Sequence, residues 1–246
     1  GIQNEDGALV NTNLKKYLFR SNISTQVSKK ISVGLNLTAV QTNTHNIQSA
    51  YGEVQLAPTW GTAENIYNPD GTWQFNDPFG CGLANPVMLM NNMNRDGLST
   101  SGQVGANLKW DIVNGLSFQS NAGLNAGYYN SGYYNNEYFQ FSGDVGGRTG
   151  SGQSSSNSNS WQWSNTLTYA KNINNVHNFS VMAGIEASKY TGIGFTGYGT
   201  NMATTSVGYY NLSMNSTQSI GSSYSSEALS SYFARGSYSF KDRYLL

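Results

Sequence analysis

The residues best equipped for chemistry in this 246-residue chain are few: two histidines, His45 and His177, and one cysteine, Cys81. Metal binding or nucleophilic catalysis needs such groups to converge in space. On the strand pattern developed below, His45 opens a long connection and His177 stands at a short turn, so they fall at opposite ends of the strands. Cys81 alone can form neither an internal disulfide nor a cysteine-based zinc site, and it reads as a loop residue. The glycine-rich run Gly143 to Gly152 lacks the Lys-Ser/Thr ending of a phosphate loop and does not join a strand to a helix, so it reads as flexible loop. Asn68-Pro69-Asp70-Gly71 has carboxylate and amide oxygens that could contribute to a calcium site. The same four residues are a turn signal, with Pro fixing φ and Gly supplying φ > 0, and the turn is the preferred reading. No catalytic residue, metal site or cofactor is assigned, and the chain is read as a non-enzyme.

Ligand binding is better represented. Trp60, Tyr67, Trp73 and Phe75 fall in one long polar connection, and Tyr129, Tyr133, Tyr134, Tyr138 and Phe139 in the next. Flat aromatic faces stack on sugar rings and anchor ligands at low entropic cost. Trp60, Tyr67, Trp73, Phe75, Tyr133 and Tyr134 are therefore the candidate ligand-binding residues, against the alternative that they pack loop on loop.

Composition limits what these residues can be mounted on. Hydrophobic residues make up only 38% of the chain and charged ones 11%, while aromatics reach 13% and glycine counts 28. Thirteen basic residues balance thirteen acidic ones, which removes the electrostatic attraction that nucleic-acid binding requires. The start at Gly1 is not a basic segment leading into an apolar one, and the apolar run near Val87 to Met90 is far too short for a spanning helix. A chain of this kind crosses a membrane only as strands.

Period-2 alternation supplies those strands. Tyr17, Phe19, Ile23 and Val27 alternate with Arg20, Asn22, Ser24 and Gln26; after a turn at Ser28 to Lys30, Ile31, Val33, Leu35 and Leu37 alternate with Ser32, Gly34, Asn36 and Thr38. Val104 to Ile112 and Leu116 to Ala126 repeat the unit around Asn114-Gly115, a hairpin dipeptide. Trp161 to Tyr169 and Phe179 to Ala187 repeat it around Asn172 to Asn175, and Tyr232 to Phe240 leads through Lys241 to Arg243 into Tyr244 to Leu246. Short turns near 29, 114, 173 and 242 alternate with long polar connections at roughly 44–101, 129–160 and 192–227, the loop asymmetry of outer-membrane barrels. Aromatics gather at both ends of the apolar rows: Trp110, Phe118, Tyr169, Phe179, Tyr238 and Tyr244 near the short turns, and Tyr17, Phe19, Tyr128, Trp161, Trp163 and Tyr232 near the long connections. The fold class is all-β, an antiparallel transmembrane β-barrel segment of about seven to eight strands with long extracellular loops. Lipid replaces the second packed layer.

The ending SYFARGSYSFKDRYLL, Ser231 to Leu246, resembles a barrel segment of SusC/RagA-type TonB-dependent transporters. Tyr17 to Thr38 looks like a second hairpin of that family, and Ala57 to Trp73 with Asn85-Pro86 is similar to a third region. The resemblance implies a larger barrel of about 22 strands in the bacterial outer membrane, a plug that TonB pulls on, a SusD-like surface lipoprotein as lid, and import of glycans or peptides. Residues 1–246 read as one part of the barrel wall with no plug domain. The partners implied are the lipoprotein, TonB through a plug absent from this sequence, a glycan or peptide ligand and outer-membrane lipid, with no nucleic acid. A passive porin-like barrel and a secreted all-β binding module or adhesin are the alternatives. The latter would leave its apolar rows as an aggregation surface in water unless a second sheet covered them.

Overall fold

The structure, a computed structural model, describes residues 1–46, 65–74, 85–135, 149–174, 176–241 and 244–245. Its strands are β1 (Ile2–Asp6), β2 (Asn13–Ser28), β3 (Ile31–Asn46), β4 (Met93–Val113), β5 (Leu116–Asn135), β6 (Gly150–Ile173), β7 (His177–Met202), β8 (Asn215–Phe240) and β9 (Tyr244–Leu245), with a short helix α1 (Pro86–Asn92) before β4. All nine strands form one antiparallel sheet in chain order. The tight turns fall where the sequence places them. Gly115 takes φ +85°, and Asn174 and Lys241 take φ 55° and 50°. A side chain at Gly115 is barred twice over, because a Cβ there would also come 2.4 Å from the carbonyl oxygen of Ala170.

β1 was not foreseen; with five wholly exposed residues it carries no apolar alternation to read. The other strands differ from expectation chiefly in length. β3 runs to Asn46, β4 starts at Met93, β5 reaches Asn135, β6 starts at Gly150, and β7 and β8 extend to Met202 and back from Asn215. Much of what reads as long loop is therefore strand, including Gly150 to Gly152 of the glycine-rich run and the Ser/Asn tract that follows it. Backbone pairing continues through these residues, as in Ser154 paired with both Ser131 and Thr196. Beyond the apolar rows both faces are wet, so hydrophobic alternation disappears while the hydrogen-bond ladder does not.

Register fixes which residues share a face. Ile23, Leu35, Ala106, Ala122, Trp163 and Ala187 form one cross-strand row, and Leu37, Val104, Leu124, Trp161 and Lys189 form the next toward the long connections. The opposite face carries Asn22, Asn36, Gly105, Gly123, Gln162 and Ser188. The apolar face is interrupted by Ser120 and Asn165; Trp163 donates its indole N–H to Ser120 at 3.3 Å. Along β5 the apolar face runs from Phe118 to Tyr128, about 33 Å of strand and about 25 Å of height at a tilt of roughly 40°, the thickness of a hydrocarbon band. The aromatic expectation needs one correction. Tyr232 pairs with Ile185 in the middle of this band, and Tyr224, paired with Ile193, holds the position nearer the long connections on β8.

No second layer covers the sheet among the described residues. Among the described residues the buried apolar side chains are only Met88, Leu89, Met90 and Met202, while Ile23, Leu35, Leu124, Val181 and Ile185 stay 40% exposed or more. Side-by-side contact covers the flanks of these side chains and leaves their tips for lipid.

This parity is directly testable in the full-length protein refolded into lipid vesicles. Leu35→Arg is expected to cost about 2–4 kcal/mol of folding free energy by urea titration. Asn36→Arg, one residue on and on the other face, is expected to cost less than about 1 kcal/mol; comparable costs at both positions would refute the assignment of faces.

Candidate functional site

The polar face is the one that can meet a solute, and toward the long connections it gains tyrosines. Tyr129 and Tyr133 on β5 and Tyr190 and Tyr198 on β7 all have its parity. Tyr129 pairs with Ser99 and Ser156, Tyr133 with Arg95 and Gly152, Gly152 in turn with Tyr198, and Tyr190 with Ser160 and Glu227. The intervening strand β6 presents Gly152, Ser154, Ser156, Ser158 and Ser160 on this face, a floor of small residues that leaves the flanking rings standing proud. Tyr129, Tyr190 and Tyr198 are 40%, 42% and 52% exposed. Tyr133 is half-buried because its ring lies over Gly152, where a Cβ would come within 2.5 Å of it.

Below these rings a cleft of about 410 Å³ is lined by Ser101, Gln103, Asn125, Ser158, Ser160 and Tyr190 among others. Its polar groups are hydroxyls and amides, and Asn125 donates to Ser160 at 3.2 Å. Uncharged donors and acceptors beside an aromatic plane can bind sugar hydroxyls or peptide amides.

The sequence-derived candidates separate into distinct places. Trp60 and Phe75 lie outside the described residues, as do Cys81, Tyr138 and Phe139. Tyr133 and Tyr134 stand in a strand rather than a loop, on opposite faces. Tyr133 joins the tyrosines just described, whereas Tyr134 faces the other way and packs against Tyr209, ring centroids 6.5 Å apart. Tyr67 and Trp73 stack at 4.7 Å across a small hairpin. Tyr190 and Tyr198 went unremarked in the sequence reading, although their even parity matches that of Ser180, Gly184, Glu186 and Ser188 on the wet side of β7.

The Tyr67–Trp73 hairpin is held from within and from below. Gly71 takes φ +84°, and its N–H donates to the Asn68 carbonyl at 2.9 Å. Asp70 accepts both the hydroxyl of Thr72, at 2.6 Å, and its N–H, at 3.0 Å, which holds its carboxyl below the usual carboxylate range. Asn68 and Asp70 thus serve the turn, as the preferred reading had it. Asn85, fully buried, donates to the carbonyls of Ile66 at 2.8 Å and Gln74 at 3.1 Å, while its oxygen accepts from the N–H groups of Val87 and Met88. It caps α1, with Pro86 at the first helical position, and ties the hairpin to it.

The histidines are separated as the strand pattern requires. His45 Nδ1 lies 2.6 Å from Asp96 Oδ1 toward the long connections, and His177 Nδ1 lies 2.7 Å from the Tyr238 hydroxyl beside a short turn. Among the described residues no three His, Cys, Asp or Glu side chains come together as a metal site.

Comparison with known proteins follows the fold. No protein-family profile matches the chain. TonB-dependent receptor P3 of Formosa agariphila is 27% identical over 258 residues, which cover 98% of this chain and 25% of the receptor. TonB-dependent receptor P26 of the same organism is 26% identical over 253 residues, covering 99% of this chain and 24% of the receptor. The chain thus spans about a quarter of the length of the curated relatives it matches. Among solved structures, a RagAB peptide transporter superposes with a TM-score of 0.69 at 18% identity, over 94% of this chain and 27% of the other. The RagAB peptide importer in its closed-closed state gives 0.70 at 17%, over 93% and 26%. Over almost its whole length the chain is thus similar to one part of these TonB-dependent receptors, and its fold is that of one part of the RagAB peptide transporter.

Replacing Asn85 by Ala takes the side-chain donor from the Gln74 carbonyl, leaves the Ile66 carbonyl only the Gln74 N–H at 3.1 Å, and removes a helix cap, a local cost of about 1–3 kcal/mol. Hydrogen exchange on the full-length protein is expected to quicken in residues 65–74 and 85–92 and to stay unchanged in β5 to β8. Unaltered exchange around Tyr67 and Trp73 would show that Asn85 does not hold the hairpin.

Proposed function

We propose that this chain is the wall of an outer-membrane importer that takes up oligosaccharides or peptides with energy delivered through TonB. The tyrosine-bearing polar face beneath the extracellular openings would be the surface along which the solute enters. One observation carries the reading: a single sheet whose apolar face matches the hydrocarbon band also presents, on its other face, Tyr129, Tyr133, Tyr190 and Tyr198 over a floor of serines and glycines. A secreted binding module would have to cover the apolar rows with protein, and the described residues supply no such layer.

In this reading residues 1–246 belong wholly to the barrel. The plug through which TonB acts would come from another part of the transporter, and a SusD-like lipoprotein would close the mouth from above. The Tyr67–Trp73 hairpin, with Trp60 and Phe75 in the same connection, would meet that lid or the captured solute. The relatives leave the solute class open between glycan and peptide: RagAB is described as a peptide transporter, and the two Formosa proteins are named only as receptors.

The test is solute uptake by cells carrying the full-length protein. Each ring contributes about 0.5–1.5 kcal/mol by stacking, so single Tyr190→Ala and Tyr198→Ala changes are expected to weaken half-saturation about 2- to 12-fold. Tyr224→Ala, an exposed ring on the lipid side, is expected to change nothing. Uptake that survives collapse of the proton gradient would replace the energised importer with a passive pore. Equal effects from Tyr190 and Tyr224 would remove the inner face from the solute path.

A further inference from the structure

A second cleft lies on the other side of the wall. It has a volume of about 560 Å³ and is lined by Lys15, Asn43, Asn130, Gln153, Phe195 and Tyr209 among others. Asn43 pairs with Lys15, and Leu98 pairs with both Asn43 and Asn130; Ser155 then pairs with Asn130 and Phe195. This row has the parity of Leu37, Val104, Leu124 and Trp161, so the cleft opens outward, on the lipid side, where a solute inside the barrel cannot reach it. From Leu124 to Asn130 the strand climbs about 20 Å, or about 15 Å in height at a tilt of roughly 40°, which places the cleft above the hydrocarbon.

The cleft is built rather than incidental. The connection between β7 and β8, with 3₁₀ turns at Gly208–Tyr210 and Leu212–Met214, folds back over this face. The Tyr209 hydroxyl donates to Asp96 Oδ2 at 2.7 Å, its carbonyl accepts from Gln153 at 2.7 Å, and its ring lies on Gly132, where a Cβ would come 2.3 Å from it. Asp96 Oδ1 is engaged by His45 at 2.6 Å. Burial and the bond to Asp96 push the Tyr209 hydroxyl's ionisation well upward, so it remains a fixed donor. With Asp96 and His45 committed to this roof, Lys15, Asn43 and Asn130 line the cleft beside the half-exposed ring of Phe195.

Amide side chains, an aromatic plane and one ammonium group form a site for a sugar that carries an anionic substituent. At this height outside a barrel, the sugars within reach are the headgroups of outer-leaflet glycolipids. We propose that this cleft binds the glycan headgroup of an outer-leaflet glycolipid, with Lys15 meeting its anionic group and Asn43 and Asn130 its hydroxyls. The proposal rests on which face looks outward and is independent of what the barrel carries.

Native mass spectrometry of the detergent-solubilised full-length protein, incubated with glycolipid extracted from the outer membrane of the producing cells, tests it. The wild type is expected to retain the glycolipid, and the Lys15→Ala, Asn130→Ala double variant to retain at least about tenfold less. Asn121→Ala, on the inner face of the same strand as Asn130, is expected to retain the wild-type amount, and solute uptake by the double variant is expected to be unchanged. If the double variant does not fold, competition on the wild type decides: free headgroup oligosaccharide should compete more weakly than intact glycolipid, and phosphatidylethanolamine not at all. Equal retention by wild type and variant, displacement by phosphatidylethanolamine, or equal competition by free oligosaccharide would each overturn the proposal. Lost uptake with intact glycolipid retention would instead count against the importer reading.

Discussion

The constraint on which everything else depends is the backbone hydrogen bond in hydrocarbon. An unpaired N–H or C=O there costs several kcal/mol, so a strand can enter lipid only with neighbours that accept and donate along its whole length. The sheet meets this condition by pairing each strand with the next in sequence, so its ladder is made of hairpins. Such pairing is indifferent to side chains. It allows β6 to run through a serine- and asparagine-rich tract that would build no soluble core, because β5 and β7 satisfy its backbone from both sides.

Freed from packing a protein interior, the side chains answer to other demands. Where small residues recur, a ring from a neighbouring segment often fills the space: Tyr133 over Gly152, Phe233 over Gly184 and Tyr209 over Gly132. These contacts stiffen a wall that, among the described residues, has no second sheet against it, and they cover backbone where a larger residue would force the ring away. Among the described residues the compact apolar cluster, Met88 and Leu89 with Asn85, lies in the long connection before β4, outside the apolar rows, where ordinary burial again has value.

The parts of the fold legible in the sequence are those where lipid imposed alternation. Ile31 to Leu37, Val104 to Trp110 and Phe179 to Ala187 announce their faces, and Asn114-Gly115 announces its turn, because these positions are fixed by the bilayer or by φ > 0. Strand ends were not legible. At Gln153 or Thr200 both faces meet water, and no preference in the side chain distinguishes paired strand from open loop. β1 was missed for the same reason. The aromatic candidates were placed by loop membership, and the single strand β5 running through Tyr133 and Tyr134 made that criterion the wrong one.

Parity is the better criterion, and it divides neighbours. Tyr128 and Tyr129, Tyr133 and Tyr134, and Lys189 and Tyr190 each send one member to either side of the wall. A one-residue slip in any strand would exchange its apolar set for its polar set, which makes register the quantity on which both faces of the wall depend. The apolar rows tolerate little change, because each side chain there must remain miscible with lipid. The wet faces carry no such requirement, so the inner tyrosines and the outer amides can be substituted without disturbing the ladder. The side chains on either side of this wall can therefore be altered by substitution alone, whereas a shift in register would alter everything at once.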